Sequence, residues 1–170
     1  RAKFDMIRSG LRAAKFPQAG VDSVTAVQPS AEYSYRRRIS LHIDARGRVG
    51  FYKTGSRVVV PIEDCPIAVP AIRSLLPSIQ KIGAALQGKV SSLLLEADTT
   101  GIVAVLKAPY DLGSAERKFV TDVAKEYFQH AIIVVADKEV GGFGRRVLDL
   151  PSSATGSFAV RVPAGGFSQV

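Results

Sequence analysis

The sequence predicts an α+β fold, a largely antiparallel β-sheet with helices packed on it. Three observations predict it. Residues 35–62 alternate apolar and polar side chains in three short runs separated by turn residues. Residues 89–107 read as one further hairpin. Two amphipathic helical stretches, 70–86 and 114–129, fall between strands without a regular βαβ rhythm.

The elements follow in order. Residues 2–14 carry Met6, Ile7, Leu11 and Ala14 at helical spacing, which predicts an amphipathic helix ended by Pro17 and Gly20. A short strand is expected over Val21–Val27. In Tyr35–Ile43, the apolar Ile39, Leu41 and Ile43 alternate with Arg38, Ser40 and His42, so one face is buried and the other faces solvent. Asp44–Gly47 is a turn, Val49–Lys53 a returning strand, Thr54–Ser56 a second turn and Arg57–Ile62 a third strand. Pro70 suits the first position of a helix. Ile72, Leu75, Leu76, Ile79, Ile82 and Leu86 continue it, and Pro77 predicts a kink or a division in two. Lys89–Ala97 and Ile102–Lys107 pair around the turn Asp98–Gly101. Ser114 is the expected cap of a helix through Gln129, with Glu116 in its first turn. Ala131–Ala136 is a buried strand, Gly141–Arg146 a loop and Ser157–Val162 a last strand.

The chain has 170 residues, 46% of them hydrophobic, enough for one well-formed core. No apolar run approaches the roughly 20 residues of a membrane span. No apolar signal segment opens the chain, so a cytoplasmic protein is expected. A monomer is expected as well. One cysteine, Cys65, excludes an internal disulfide framework and a cysteine-rich metal site made by this chain alone. Arg1 at the start and Phe167–Val170 at the end suggest a piece of a longer protein.

The net charge is +8, and all of it arises in residues 1–60. Arg36, Arg37 and Arg38 are its densest part, followed by Arg46, Arg48, Lys53 and Arg57, with Tyr33, Tyr35, Phe51 and Tyr52 interleaved. Cations neutralise phosphates and flat rings stack on unpaired bases, so the pattern suits RNA. An ordinary solvated basic face has the same composition. Cys65 lies between Glu63–Asp64 and Pro66, the wrong charge environment for a nucleophilic thiolate. A buried structural thiol and one ligand of a metal cluster completed from elsewhere both remain open. His42 is expected on the polar strand face and His130 as a cap beyond a helix C-terminus. Gly141–Arg146 has the look of an anion nest but not the glycine spacing of a nucleotide-binding loop. Glu96, Asp98 and Asp111 show no pairing signature, and Asp98 is accounted for by its turn.

Taken together, Tyr35-Arg36-Arg37-Arg38-Ile39-Ser40-Leu41, Gly47-Arg48-Val49-Gly50-Phe51-Tyr52, Val60-Pro61-Ile62-Glu63-Asp64-Cys65-Pro66-Ile67, Leu75-Leu76-Pro77 and a terminal Phe167-Ser168-Gln169-Val170 form an ordered set. It resembles the central part of the bacterial RNA (uracil-5-)-methyltransferases, the 23S ribosomal RNA type above all. The resemblance implies that 1–163 is the central domain of such an enzyme. It also implies that 164–170 begins the connection to a Rossmann-like S-adenosylmethionine-binding catalytic domain absent from this chain. The cofactors implied are S-adenosylmethionine and a 4Fe-4S cluster, and the partner is ribosomal RNA. On the matching positions, Cys65 takes the place of a cluster ligand and Gln169 that of a cofactor contact. Phe167 stands where the target pocket begins, and Arg36, Arg37 and Arg38 lie on the RNA side. No catalytic residue falls within the chain, so it is expected to be inactive alone. A non-catalytic RNA-binding module sharing the sheet is the alternative.

Overall fold

A computed structural model describes residues 2–23, 32–151 and 159–165. Residues 1–31 and 32–170 form two compact units. In the first, helix α1 (Ala2–Ala13) is followed by the short helix α2 (Gln18–Ser23). Gln18 and Arg8 both donate to the Asp22 carboxylate, at 2.8 and 3.2 Å. The strand expected from Val21 is helical through Ser23, and 24–27 lie outside the described residues. Met6 and Ile7, expected on a buried face, are exposed.

The second unit is built on a seven-stranded sheet. Its strands are β1 (Arg38–Ile43), β2 (Val49–Tyr52), β3 (Val59–Pro61), β4 (Ser92–Ala97), β5 (Ile102–Ala108), β6 (His130–Val135) and β7 (Lys138–Phe143), in the order β3-β2-β1-β4-β5-β6-β7. All neighbours are antiparallel except β5 and β6, which the helix α5 (Ser114–Tyr127) connects in parallel. The expected α+β, largely antiparallel architecture is what the chain adopts. Pro77 divides the proline-rich stretch as expected: α3 (Pro70–Arg73), a single 3₁₀ turn (Leu76–Ser78) and α4 (Ile79–Ala85).

One face of the sheet carries the core. Ile39, Leu41, Leu93, Leu95, Leu106 and Ile133 meet Ile72, Leu76, Ile79, Ile82 and Val120 of the helices, and Cys65 joins the same cluster. Burial at about 25 cal/mol per Å² makes this face the main stabilising term. A smaller cluster on the other face, Leu94, Val103, Val105 and Ile132, is covered by Leu148 of a separate hairpin, β8 (Val147–Pro151) with β9 (Ala159–Pro163). The last strand therefore forms as expected over its described part. Strand β8 was not foreseen.

Three local expectations are corrected. Gly141, Gly142 and Phe143 belong to β7 rather than to a loop, because β6 offers them a ladder: Gly142 sits opposite Ile132 and Gly141 opposite Ile133. Ser114 is the first helical residue, and the cap is Gly113, whose N–H donates to the Glu116 carboxylate at 3.1 Å. His130 opens β6 instead of capping a helix, and its Nδ1 accepts the Arg145 N–H at 3.2 Å.

Close backbone approach fixes the β1–β3 meander on α4. A Cβ at Gly83 would collide with the Val49 side chain and the Gly47 carbonyl, and one at Gly50 with the Val60 carbonyl. Gln80 of α4 accepts the Val49 N–H at 3.0 Å and donates to the carbonyls of Val49 and Ile62 at 2.8 and 3.0 Å. The meander is therefore a rigid support for whatever its outer face carries.

Candidate nucleic-acid interface

The alternation in β1 turns Ile39, Leu41 and Ile43 inward and leaves Arg38, Ser40 and His42 on the outer face, as expected. On β2, Phe51 packs against the core and Tyr52 turns outward, so the two neighbouring rings have opposite roles. His42 faces Gly50, which brings the turn after Tyr52 to the end of the sheet where β1 begins. Arg36, Arg37, Lys53 and Arg57 are exposed at that end, together with Tyr33 and Tyr35. Arg46 is exposed at the opposite end of β1.

These cations are less often paired than those that follow them in the chain. Of the seven basic residues in 32–60, Arg38 pairs with Glu96 at 3.4 Å and Arg48 with Asp44 at 2.7 Å. Arg36, Arg37, Arg46, Lys53 and Arg57 have no ion-pair partner among the described residues. Further along, seven of the eleven cations, Arg73, Lys107, Arg117, Lys118, Arg145, Arg146 and Arg161, are each bound to a carboxylate, and Lys81, Lys89, Lys125 and Lys138 have no ion-pair partner among the described residues. The charge asymmetry of the sequence thus becomes a local excess at one end of the sheet, where it raises the positive potential toward a polyanion.

Arg36 is held by its backbone. Its N–H donates to Ile67 O at 2.7 Å and its carbonyl accepts the Val69 N–H at 3.0 Å, which places the arginines beside Cys65–Val69. Cys65 itself is buried, with its N–H on the Asp64 carboxylate at 2.8 Å. The Arg73 guanidinium grips that carboxylate at 2.7 and 2.8 Å and holds it below the usual carboxylate range. No group of three or more potential metal ligands occurs among the described residues. The chain has a single cysteine, so these residues do not by themselves make a four-thiolate cluster site. Phe167 and Gln169 lie outside the described residues.

Glu96 lies on the outer face of β4 opposite Arg38, at the end of the sheet where β1 begins. It is 2% exposed, and burial pushes its carboxyl upward, against the opposing effects of the Gly165 N–H and Arg38. It anchors the last described residue to the sheet. Toward β7 the same face has a depression of about 480 Å³, where Lys107 and Arg146 are offset by Asp137 and Glu139.

The sequence reading missed the cluster around Asp98. Its carboxylate accepts Arg145 Nη1 at 2.8 Å, the Asp149 N–H at 3.0 Å and the Thr100 N–H at 2.7 Å. It staples the β8–β9 hairpin to the sheet. Arg145 and Arg146, which end the segment read as a surface loop with the look of an anion nest, are held by Asp98 and Glu139. Only the turn residues around Asp98 gave a local signal, and partners about fifty positions away leave none.

A helix-backed α+β sheet with a rigid outer face, basic and ring-bearing at one end, defines a domain suited to holding a polyanion. Over 101 residues the chain is 30% identical to the 23S rRNA (uracil(1939)-C(5))-methyltransferase RlmD of Salmonella typhi, a match covering 56% of this chain and 23% of that protein. Its fold is similar to that of the Pyrococcus abyssi tRNA (uracil-54, C5)-methyltransferase solved in complex with S-adenosyl-L-homocysteine. The TM-score is 0.59 at 13% identity, over 82% of this chain and 38% of that one. At that identity the likeness speaks for the fold alone. No protein-family model matches the chain. The chain is thus similar to the RNA (uracil-5-)-methyltransferases, and spans about a quarter of the curated relative's length. No helix among the described residues is long and apolar enough to cross a membrane.

Proposed function

We propose that the chain is the RNA-holding central segment of a cytoplasmic, S-adenosylmethionine-dependent RNA (uracil-5-)-methyltransferase that forms 5-methyluridine in 23S ribosomal RNA. The observation that carries this reading is the group of cations without an ion-pair partner among the described residues, Arg36, Arg37, Lys53 and Arg57, at one end of the sheet. The relationship to a 23S rRNA methyltransferase supports the substrate class. In this reading Arg36, Arg37 and Arg38 hold RNA backbone and Phe167 borders the target pocket. Gln169 contacts S-adenosylmethionine, and Cys65 serves as one cluster ligand beside cysteines that this chain does not supply. Phosphate contacts of this kind position the strand without reading its sequence.

The 170 residues alone are expected to bind RNA and not to methylate it. The test is to incubate the chain with 23S ribosomal RNA and labelled S-adenosylmethionine, following RNA retention on a filter and 5-methyluridine by mass spectrometry. Retention without methylation is the expected result. Methyl transfer would overturn the division of labour, and absence of RNA retention would overturn the role of the face. A non-catalytic RNA-binding module rests on the same face and predicts the same pair of results for this chain. A parent chain that methylates no RNA would favour it.

A further inference from the structure

On the outer face, His42 of β1 and Tyr52 of β2 lie ring on ring, with centroids 3.6 Å apart and planes 11° from parallel. The imidazole covers one side of the phenol ring, yet Tyr52 remains 43% exposed. An aromatic side chain held flat by a neighbour on a rigid strand has lost its rotamer freedom before any partner arrives, which removes part of the ordering cost of binding. Burial pushes the His42 imidazole below its ordinary range, which favours the uncharged ring. The hydroxyl-bearing Ser40 is exposed on the same strand face, between Arg38 and His42. Lys53 and Arg57 flank the turn that follows Tyr52, within the region of uncompensated cations.

We propose that Tyr52, backed by His42, is a stacking platform for one unpaired base of single-stranded RNA, with Lys53 and Arg57 on the phosphates beside that base. The inference deepens the RNA-holding role proposed above and rests on it. Stacking needs a base released from a duplex, so the platform selects single-stranded over paired RNA. It is tolerant of base identity, because every base has a π-face.

The experiment uses the chain and a short single-stranded RNA carrying 2-aminopurine, whose fluorescence is quenched when it stacks. Wild type should bind and quench. Tyr52→Ala should bind about 5- to 150-fold more weakly, the loss typical of removing one base–aromatic stack, and should lose the quenching. The salt dependence should be unchanged, because every phosphate keeps its cation. Tyr52→Phe keeps the ring and should keep both signals, while matched thermal unfolding of the variants excludes a folding defect. Unchanged affinity and quenching in Tyr52→Ala would overturn the platform and leave the basic face standing. Tighter binding of a duplex of the same sequence would overturn the single-strand assignment. No binding by the wild type would overturn the RNA-holding role and the platform with it.

Discussion

Replacing Asp98 by asparagine tests the staple between the β8–β9 hairpin and the sheet. The side chain is fully buried, and its two oxygens divide the work. Oδ1 accepts Thr100 N–H and Oγ1, Gly101 N–H and Arg145 Nη2, while Oδ2 accepts Arg145 Nη1 and the Asp149 N–H. An amide keeps one acceptor oxygen, which the four donors at Oδ1 will claim. Its NH2 group then faces two donors. Each buried donor left without an acceptor costs about 1–3 kcal/mol, and breaking a buried ion pair from one side costs about 3–5 kcal/mol. Arg145 is 26% exposed and regains some water, so the lower part applies, about 3 kcal/mol. With a urea dependence near 2 kcal/mol per molar, the unfolding midpoint of Asp98→Asn should fall by about 1.5 M. Hydrogen exchange at the Asp149 amide should accelerate. The pH dependence has a definite sign. Burial raises the Asp98 carboxyl, but hydrogen bonds from Arg145, the Asp149 N–H and Thr100 outweigh it and hold the group well below the usual carboxylate range. A depressed folded value contributes stability above the unfolded pKa of about 3.9, lost as pH falls toward the folded value. The difference between wild type and variant should therefore be constant from neutral pH to about pH 5 and shrink progressively below it. A loss under about 1 kcal/mol with unchanged exchange at Asp149 would refute the reasoning.

Two further outcomes follow from the packing. Gly83→Ala forces a methyl against Val49 and the Gly47 carbonyl, so urea unfolding should show a loss of about 1–3 kcal/mol, and RNA affinity should weaken as the meander shifts. Cys65→Ser buries a hydroxyl in an apolar cluster and should cost about 1–3 kcal/mol by the same assay. Its RNA affinity should match wild type, and neither protein should retain iron after anaerobic reconstitution, because the chain supplies one thiolate.

The sheet was legible where local pattern and tertiary burial agree. Ile39, Leu41 and Ile43 alternate because one face meets helices, and Pro77 divides a helix because it has no N–H to give. Strand β7 was illegible for the opposite reason. Gly141 and Gly142 have poor strand propensity, and the bonds that make them a strand come from β6. The basic excess was visible in the sequence, but its meaning depended on which cations are neutralised. Arg145 and Arg146 look as available as Arg36 and Arg37 until Asp98 and Glu139 are brought to them. The strand period alone separates Phe51 from Tyr52. Pairing Tyr52 with His42 requires the register of β1 on β2, which the sequence does not spell out.

The central claim, that this end of the sheet holds RNA phosphates, is tested most directly by salt. Binding of a single-stranded RNA would be measured across a range of salt concentrations for wild type and for Arg36→Gln/Arg37→Gln/Arg57→Gln. Lys118→Gln/Lys125→Gln on α5 serves as the control of distant charge. Each phosphate that no longer meets an arginine should flatten the log–log slope by about 0.7, so the triple variant should lose about 2 and the control almost nothing. An unchanged slope in the triple variant, or an equal change in the control, would contradict the account.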